Sequence, residues 1–373
     1  MRFQEADAVV IGGGLCGTSI THRLSEKGKR VVLLERGGIS EEASGRSIGG
    51  VRQQNRDLEE VPLALESYKA WGAFRDELEE DIEYVRGGNL KLIRTEKEWS
   101  DMEKQRIAEQ KLGLETELLS REEILKLLPA FWKDGQILGG KYCATDGHAN
   151  PLKVGKAIAM AAARSGARVY PHKPAAGIQL RNGKVHAVLT EDTYFRTDVV
   201  VNAANAWAPE IGRMVGLTIP IVPKMSQILL TEPLAPLFSL FITCTGIGYL
   251  RQAVRGNVHI GYPSQPTSDY DQHPTYPAFP YVGKGIARYF PAIERASIIR
   301  AWGGLTAFTP DNLPVLGPVG EIPGFYIAAG FSGHGFCLGP GVGKVMAEFI
   351  TTGGSSIDLH PFRFSRFQKE NAT

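Results

Sequence analysis

Four residues near the start of the chain have the types and spacing to hold a dinucleotide. Gly12, Gly14 and Gly17 complete a G-x-G-x-x-G pattern, and Glu35 follows about 20 residues later. In such a loop Gly12 permits a tight turn, Gly14 lets the backbone approach a pyrophosphate, and Gly17 lets a helix pack closely on a strand. The helix N-terminus then offers free N–H groups and the positive end of its dipole to the phosphates. A carboxylate at Glu35 can accept hydrogen bonds from a free ribose, which favours FAD or NAD over a cofactor bearing a 2′-phosphate. Glycines also cluster in ordinary turns, so the pattern carries weight only if it follows a strand and opens a helix.

Two further segments favour a flavin. From Ala43 the chain reads ASGRSIGGVRQQ, a small-residue loop containing Ser44, Arg46 and Arg52. From Gly330 to Ile350 it reads GFSGHGFCLGPGVGKVMAEFI, a second strand end, glycine loop and helix. A second helix N-terminus aimed at the cofactor would suit the electron-rich N1/C2=O edge of a reduced flavin. Metal chemistry has no support. Cys16, Cys143, Cys244 and Cys337 are scattered without a CxxC pair, and the eight histidines form no HxxxH or HExxH pattern.

The elements that must position these residues are legible around the fingerprint. Ala8 to Ile11 reads as a buried strand, Leu15 to Lys27 as a helix stopped by Gly28, and Arg30 to Glu35 as a second, parallel strand. This is the opening βαβ unit of a doubly wound sheet. Helices are expected from Leu58 to Glu80, Glu96 to Lys111 and Pro151 to Ser165, followed by a strand from Ala167 to Tyr170. VHAVLT and DVVVNAA read as further strands of the nucleotide-binding domain, and Val342 to Ile350 as a final helix. From Ile219 to Phe308, alternating stretches such as QILLTEP, YLRQAV and NVHIGY between Pro and Gly turns predict an antiparallel sheet.

The 373 residues exceed one compact core, so two domains are expected. The fold class is α/β within an α+β whole, with a Rossmann-type FAD-binding domain (1–85, 146–218 and 320–373) and an antiparallel-sheet substrate domain (86–145 and 219–319). A net charge of +2 without an aromatic-interleaved basic stripe argues against nucleic acid. No run of about 18 apolar residues is present, and the N-terminal apolar run is too short for a signal-peptide core, so a soluble cytoplasmic protein is expected.

In order and spacing, the fingerprint with Glu35, ASGR, DGHANP, VNAANAWA, YLR, WGGLTAFTPD and GFSGHGF make the chain resemble the FAD-dependent D-amino-acid, glycine and sarcosine oxidases over essentially its whole length. WGGLTAFTPD is most similar to the branch containing β subunits of sarcosine oxidase and of proline, hydroxyproline and opine dehydrogenases. The resemblance implies cofactor contacts at Gly12, Gly14, Leu15, Cys16, Gly17, Glu35, Arg36, Ser44, Gly45, Arg46, Ser47, Ile48, Ala175, Ala203, Trp207, Gly330, Gly333, His334, Gly335 and Phe336. For Trp207 a pure core role is the better reading, and His148 reads as a turn residue. Arg52 is the first candidate to grip a substrate carboxylate. Tyr249 and Arg251 are alternatives on a strand facing the flavin, and His334 is the candidate in the glycine loop. Trp302 and Phe308 line a substrate pocket or belong to a core.

Three departures from the family pattern matter. Gly304 stands where some members carry the cysteine that links to FAD, which implies non-covalent flavin. Cys337 replaces a lysine associated with substrate carboxylate and oxygen, and Thr306 replaces a carboxylate-binding arginine. The expected function is therefore oxidation of an amino acid or secondary amine by hydride transfer to flavin N5. The expected setting is a dehydrogenase β subunit with a larger α subunit, an iron–sulfur subunit or an interfacial FMN. A self-sufficient oxidase and a non-catalytic electron-relay subunit are the alternatives.

Overall fold

The computed structural model describes residues 2–130, 137–244, 246–267, 270–287 and 289–368. Three layers position the site. The central layer is a six-stranded sheet ordered Val315–Pro318, Phe325–Ala329, Val200–Asn202, Ala8–Ile11, Val31–Leu34 and Arg168–Tyr170. It is parallel except at the Val315–Pro318 edge, which runs antiparallel to its neighbour. AVVI and VVLL are fully buried, as continuous apolar runs covered on both faces must be.

The two faces of that sheet are covered differently. Val10, Ala8 and Leu33 pack with Ile20, Leu24 and Val342 from helices Leu15–Glu26 and Gly335–Thr352. Val9, Ile11 and Val32 pack instead with Ile178, Val188 and Phe195 from a second, four-stranded sheet. That sheet is ordered Arg2–Glu5, Thr193–Arg196, Lys184–Leu189 and Gly177–Arg181. The sheet is thus not doubly wound. VHAVLT belongs to this covering layer, whereas DVVVNAA supplies the parallel strand beside Ala8–Ile11. Apolar alternation alone does not say which of two packed sheets a strand joins.

The third layer is an eight-stranded sheet drawn from 89–143 and 222–308. Its order is Ile298–Phe308, Val222–Pro233, Asn257–Pro266, Gly248–Gln252, Phe241–Cys244, Asn89–Ile93, Gly139–Cys143 and Glu117–Ser120. Only the Phe241–Cys244 and Asn89–Ile93 pair is parallel.

The last helix starts at Gly335, seven residues before the expected Val342. Gly339, Gly341 and Gly343 disfavour a helix by propensity. Here they let three helices approach. A Cβ on Gly339 would lie 2.8 Å from Leu15 Cγ, one on Gly341 2.9 Å from the Leu63 carbonyl, and one on Gly343 2.6 Å from Ser19 Cβ. Close packing overrides propensity. The Leu58–Glu80 region is likewise split into a 3₁₀ turn, Leu58–Glu60, and a helix, Val61–Glu77.

Candidate functional site

A cavity of about 670 Å³ lies between the C-terminal ends of the parallel strands and the eight-stranded sheet. At one end is the glycine cradle. Gly12 has φ +114°, and a Cβ there would meet the Ala203 carbonyl oxygen at 2.5 Å. Gly14 is the N-cap of helix Leu15–Glu26 and has no side-chain cap. A Cβ on Gly17 would sit 1.9 Å from the Gly12 carbonyl oxygen, so the helix seats on the turn only with glycine there. Glu35 directly follows the strand Val31–Leu34 with both carboxylate oxygens engaged, accepting from Gly13 N at 2.6 Å and Gly37 N at 2.7 Å. These amides orient the carboxylate at the place where a ribose would meet it.

Gly12, Gly14, Leu15, Cys16, Glu35, Arg36, Ala175, Ala203 and Trp207 line this part of the cavity. Trp207 is half-buried, with the Arg36 guanidinium 4.0 Å from its ring centroid and Tyr270 stacked at 5.6 Å. The ring packs against the core around Val9 and Ile211 and also lines the cavity, between a cation and a second aromatic, so a pure core role is too narrow.

The middle is bounded by the loop with Ser44, Arg46, Ser47 and Ile48. Ser44 Oγ accepts from Leu15 N at 2.9 Å, fastening loop to helix start. Arg46 donates to the Glu41 carbonyl at 3.0 Å and the Gly303 carbonyl at 3.1 Å, while its own carbonyl accepts from Trp302 Nε1 at 3.0 Å. Trp302 is thereby a tie between loop and sheet. Gly304 and Thr306 also line the cavity, and a Cβ on Gly304 would lie 2.9 Å from Arg46 Cβ.

At the far end Phe331, Gly333, His334, Gly335 and Phe336 meet side chains of the eight-stranded sheet. Arg52 lies over the Phe241 ring at 5.3 Å, and Phe241 stacks on Tyr249 at 6.2 Å. Burial, and then Arg56, lower the Arg52 pKa, and no carboxylate among the described residues pairs with it. Burial pushes the Tyr249 phenol up. Ser226 Oγ joins Ser264 Oγ at 2.6 Å and Thr306 Oγ1 at 3.0 Å, and Lys224 stands over Phe308 at 4.1 Å. A half-buried cation beside aromatic walls and hydroxyls can hold a small carboxylate while an apolar part rests on the rings.

Four expected residues lie off the lining. Gly17 and Gly45 act in packing; a Cβ on Gly45 would be 1.9 Å from the Ser40 carbonyl oxygen. Gly330 takes φ +79° and donates its N–H to Asn205 Oδ1 at 3.2 Å. Arg251 corrects the expectation of a substrate-facing cation. It is buried, donates through Nε to the Ile48 carbonyl, and lies beside His259. His148 is no turn residue either. It sits in a two-residue strand paired with Gly50, buried, with its pKa pushed down to about 3 by burial and by Arg251.

The sequence reading missed Phe241, Lys224, Ser226 and Glu60. Phe241 and Ser226 look like ordinary strand residues, and Glu60 like a solvated helix start. All four cysteines are free and buried. The Cys337 thiol is pushed up to about 11 by burial and packs with Trp71 and Phe74, away from the cavity lining.

The FAD dependent oxidoreductase (DAO) family matches residues 7–349. The chain belongs to it. Among DAO-family proteins, the chain is 28% identical to glycine oxidase of Geobacillus kaustophilus, over 96% of this chain and 97% of that protein. It is 26% identical to human mitochondrial dimethylglycine dehydrogenase, covering 99% of this chain and 45% of that protein, so it spans less than half of that relative. The crystal structure of L-proline dehydrogenase from P. horikoshii superposes with a TM-score of 0.94 at 31% identity, over 98% of both chains. The chain is therefore an FAD-dependent oxidoreductase, and the glycine cradle, the helix dipole and Glu35 fit FAD. Among the described residues no helix is long and apolar enough to cross a membrane.

Proposed function

We propose that this chain oxidises a small amino acid or secondary amine of the glycine, sarcosine or proline type, with Arg52 gripping the substrate carboxylate. The observation that carries the reading is a half-buried guanidinium that forms no ion pair with a carboxylate among the described residues, lining the same cavity as the dinucleotide cradle. FAD, when bound, supplies the two-electron acceptor for a hydride from the substrate α-carbon, leaving an imine that hydrolyses. Arg52 and the Phe241 and Tyr249 rings orient the substrate, so that its α C–H is presented in one direction. The aromatic walls also exclude water. The absence of a side chain at Gly304, with Arg46 packed against that position, supports non-covalent flavin. Arg36, Ser47 and the other lining residues of the cradle are proposed to contact the cofactor.

The discontinuous division into FAD-binding and substrate domains is part of this reading. So is the role of a dehydrogenase β subunit, passing electrons to a larger α subunit or an iron–sulfur partner. Its support is the resemblance of WGGLTAFTPD to that branch; Cys337, with its side chain packed away from the cavity, adds no cation there. Lys224 in the same cavity favours the second reading, a self-sufficient oxidase, because a fixed positive charge would stabilise nascent superoxide.

Anaerobic titration with glycine, sarcosine, prolines, D-amino acids and opines tests the first claim, since the preferred amine must bleach the flavin. Arg52→Met should then raise KM about 10- to 150-fold, the worth of a charge-assisted hydrogen-bond pair, with the flavin spectrum unchanged. An unaltered KM removes Arg52 from the site. Dye reduction outpacing peroxide formation supports the dehydrogenase, and stoichiometric peroxide supports the oxidase.

A further inference from the structure

Glu60 is a carboxylate in a place where carboxylates are seldom found. It ends the Leu58–Glu60 turn with its side chain 0% exposed, and a buried charge persists only when paired. Its Oε2 lies 2.6 Å from His334 Nδ1, its only hydrogen bond among the described residues, and 3.6 Å from Arg56 Nη1. Burial alone would push the carboxyl up, but His334, Arg56 and Arg52 outweigh it and hold the group below the ordinary glutamate range. An ionised carboxylate only accepts, so Nδ1 must carry the hydrogen of this contact. Nε2, on the opposite edge of the ring, is left for the cavity that His334 lines.

The same carboxylate reaches the substrate end. Arg56 donates from Nε to the Gln53 carbonyl at 3.0 Å and from Nη2 to the Arg52 carbonyl. It thereby closes the turn that presents Arg52. Asp57 also faces this cluster, with its carboxyl raised by burial and by Glu60. One buried anion thus contacts both the imidazole at the start of helix Gly335–Thr352 and the guanidinium that holds the Arg52 backbone.

We propose that Glu60 is a positioning residue that fixes the tautomer and ring orientation of His334, with Nε2 presented to the flavin-binding cavity. This rests on the proposed amine oxidation. A partner that holds the far nitrogen of a histidine sets which atom works at the near side. Touching neither substrate nor flavin, Glu60 acts through His334.

Two measurements on the FAD-loaded protein test it. With ¹⁵N-labelled histidine, the wild type should show a downfield proton bound to His334 Nδ1, assigned by its loss in His334→Asn. That proton should move upfield in Glu60→Gln, whose amide is neutral. In anaerobic stopped flow, Glu60→Gln should lower the limiting rate of flavin reduction about 10- to 100-fold, with substrate affinity changed less than about threefold. In the His334→Asn background the same substitution should cost nothing further. A His334 protonated only at Nε2, or an Nδ1 proton indifferent to Glu60→Gln, overturns the proposal. Equal rate losses in both backgrounds overturn it too, leaving Glu60 a structural residue. Should Glu60→Gln not fold, the wild-type and His334→Asn spectra decide the tautomer alone. If no amine reduces the wild-type flavin, the proposed function fails while the NMR result still judges Glu60.

Discussion

The glycine cradle and the chamber under the eight-stranded sheet line one cavity, yet they are built by opposite means. In the cradle the backbone does the positioning. Gly12, Gly14 and Gly17 matter for the atoms they lack, and the loop and helix start are joined through main-chain groups meeting Ser44 and Glu35. In the chamber, side chains from remote segments converge: Arg52, Phe241, Tyr249, Thr306 and His334. A cofactor common to a family can be held by a conserved turn geometry. A substrate is distinguished by whichever side chains the sheet presents, so the two halves should respond differently to substitution.

The largest effect should come from the smallest change. Gly17→Ala puts a methyl group 1.9 Å from the Gly12 carbonyl oxygen, a backbone atom with nowhere to move. Overpacking of this kind costs about 1–3 kcal/mol or more, and because the displaced atoms form the pyrophosphate loop, the purified protein should lose its FAD. Retention of FAD with wild-type affinity would mean that the helix does not seat on the turn as described.

Glu35→Ala separates side-chain from backbone work within the cradle. Loss of charge-assisted hydrogen bonds of about 1.5–3 kcal/mol should weaken FAD about 10- to 150-fold, while the turnover of enzyme saturated with FAD stays the same. Isothermal titration of the apoprotein measures the first, and steady-state kinetics the second. A KM change without an affinity change would erase the distinction between the two regions.

A third effect concerns the seam between them, where His148 lies buried beside Arg251. Its folded pKa of about 3 lies below the usual 6.5, so the unfolded chain binds a proton that the folded chain refuses. The stability that His148 leaves intact above pH 6.5 is lost as pH falls from 6.5 towards 3, with a slope of about 1.4 kcal/mol per pH unit from this residue. Denaturant unfolding of His148→Asn between pH 7 and 4.5 should show a shallower acid decline than wild type. Parallel curves would show that His148 does not stay neutral in the fold.

Much of the cradle was legible in the sequence. Gly12, Gly14, Gly17 and Glu35 are close in sequence, and the turn they make depends on local backbone geometry, so spacing suffices to read it. The strands Ala8–Ile11 and Val31–Leu34 and the helix Leu15–Glu26 followed from the same local logic. What the sequence by itself determined was thus the dinucleotide turn, its adjoining elements and the antiparallel character of 222–308. Only the tertiary structure decided that VHAVLT joins a covering sheet, that the last helix begins at Gly335, that Trp207 faces the cavity and that Arg251 does not. It alone brought Glu60 to His334, 274 residues away in sequence. The physical reason is range: backbone conformation is encoded by neighbours along the chain, whereas burial, ion pairing and the direction a side chain faces depend on segments that meet only when the sheets pack.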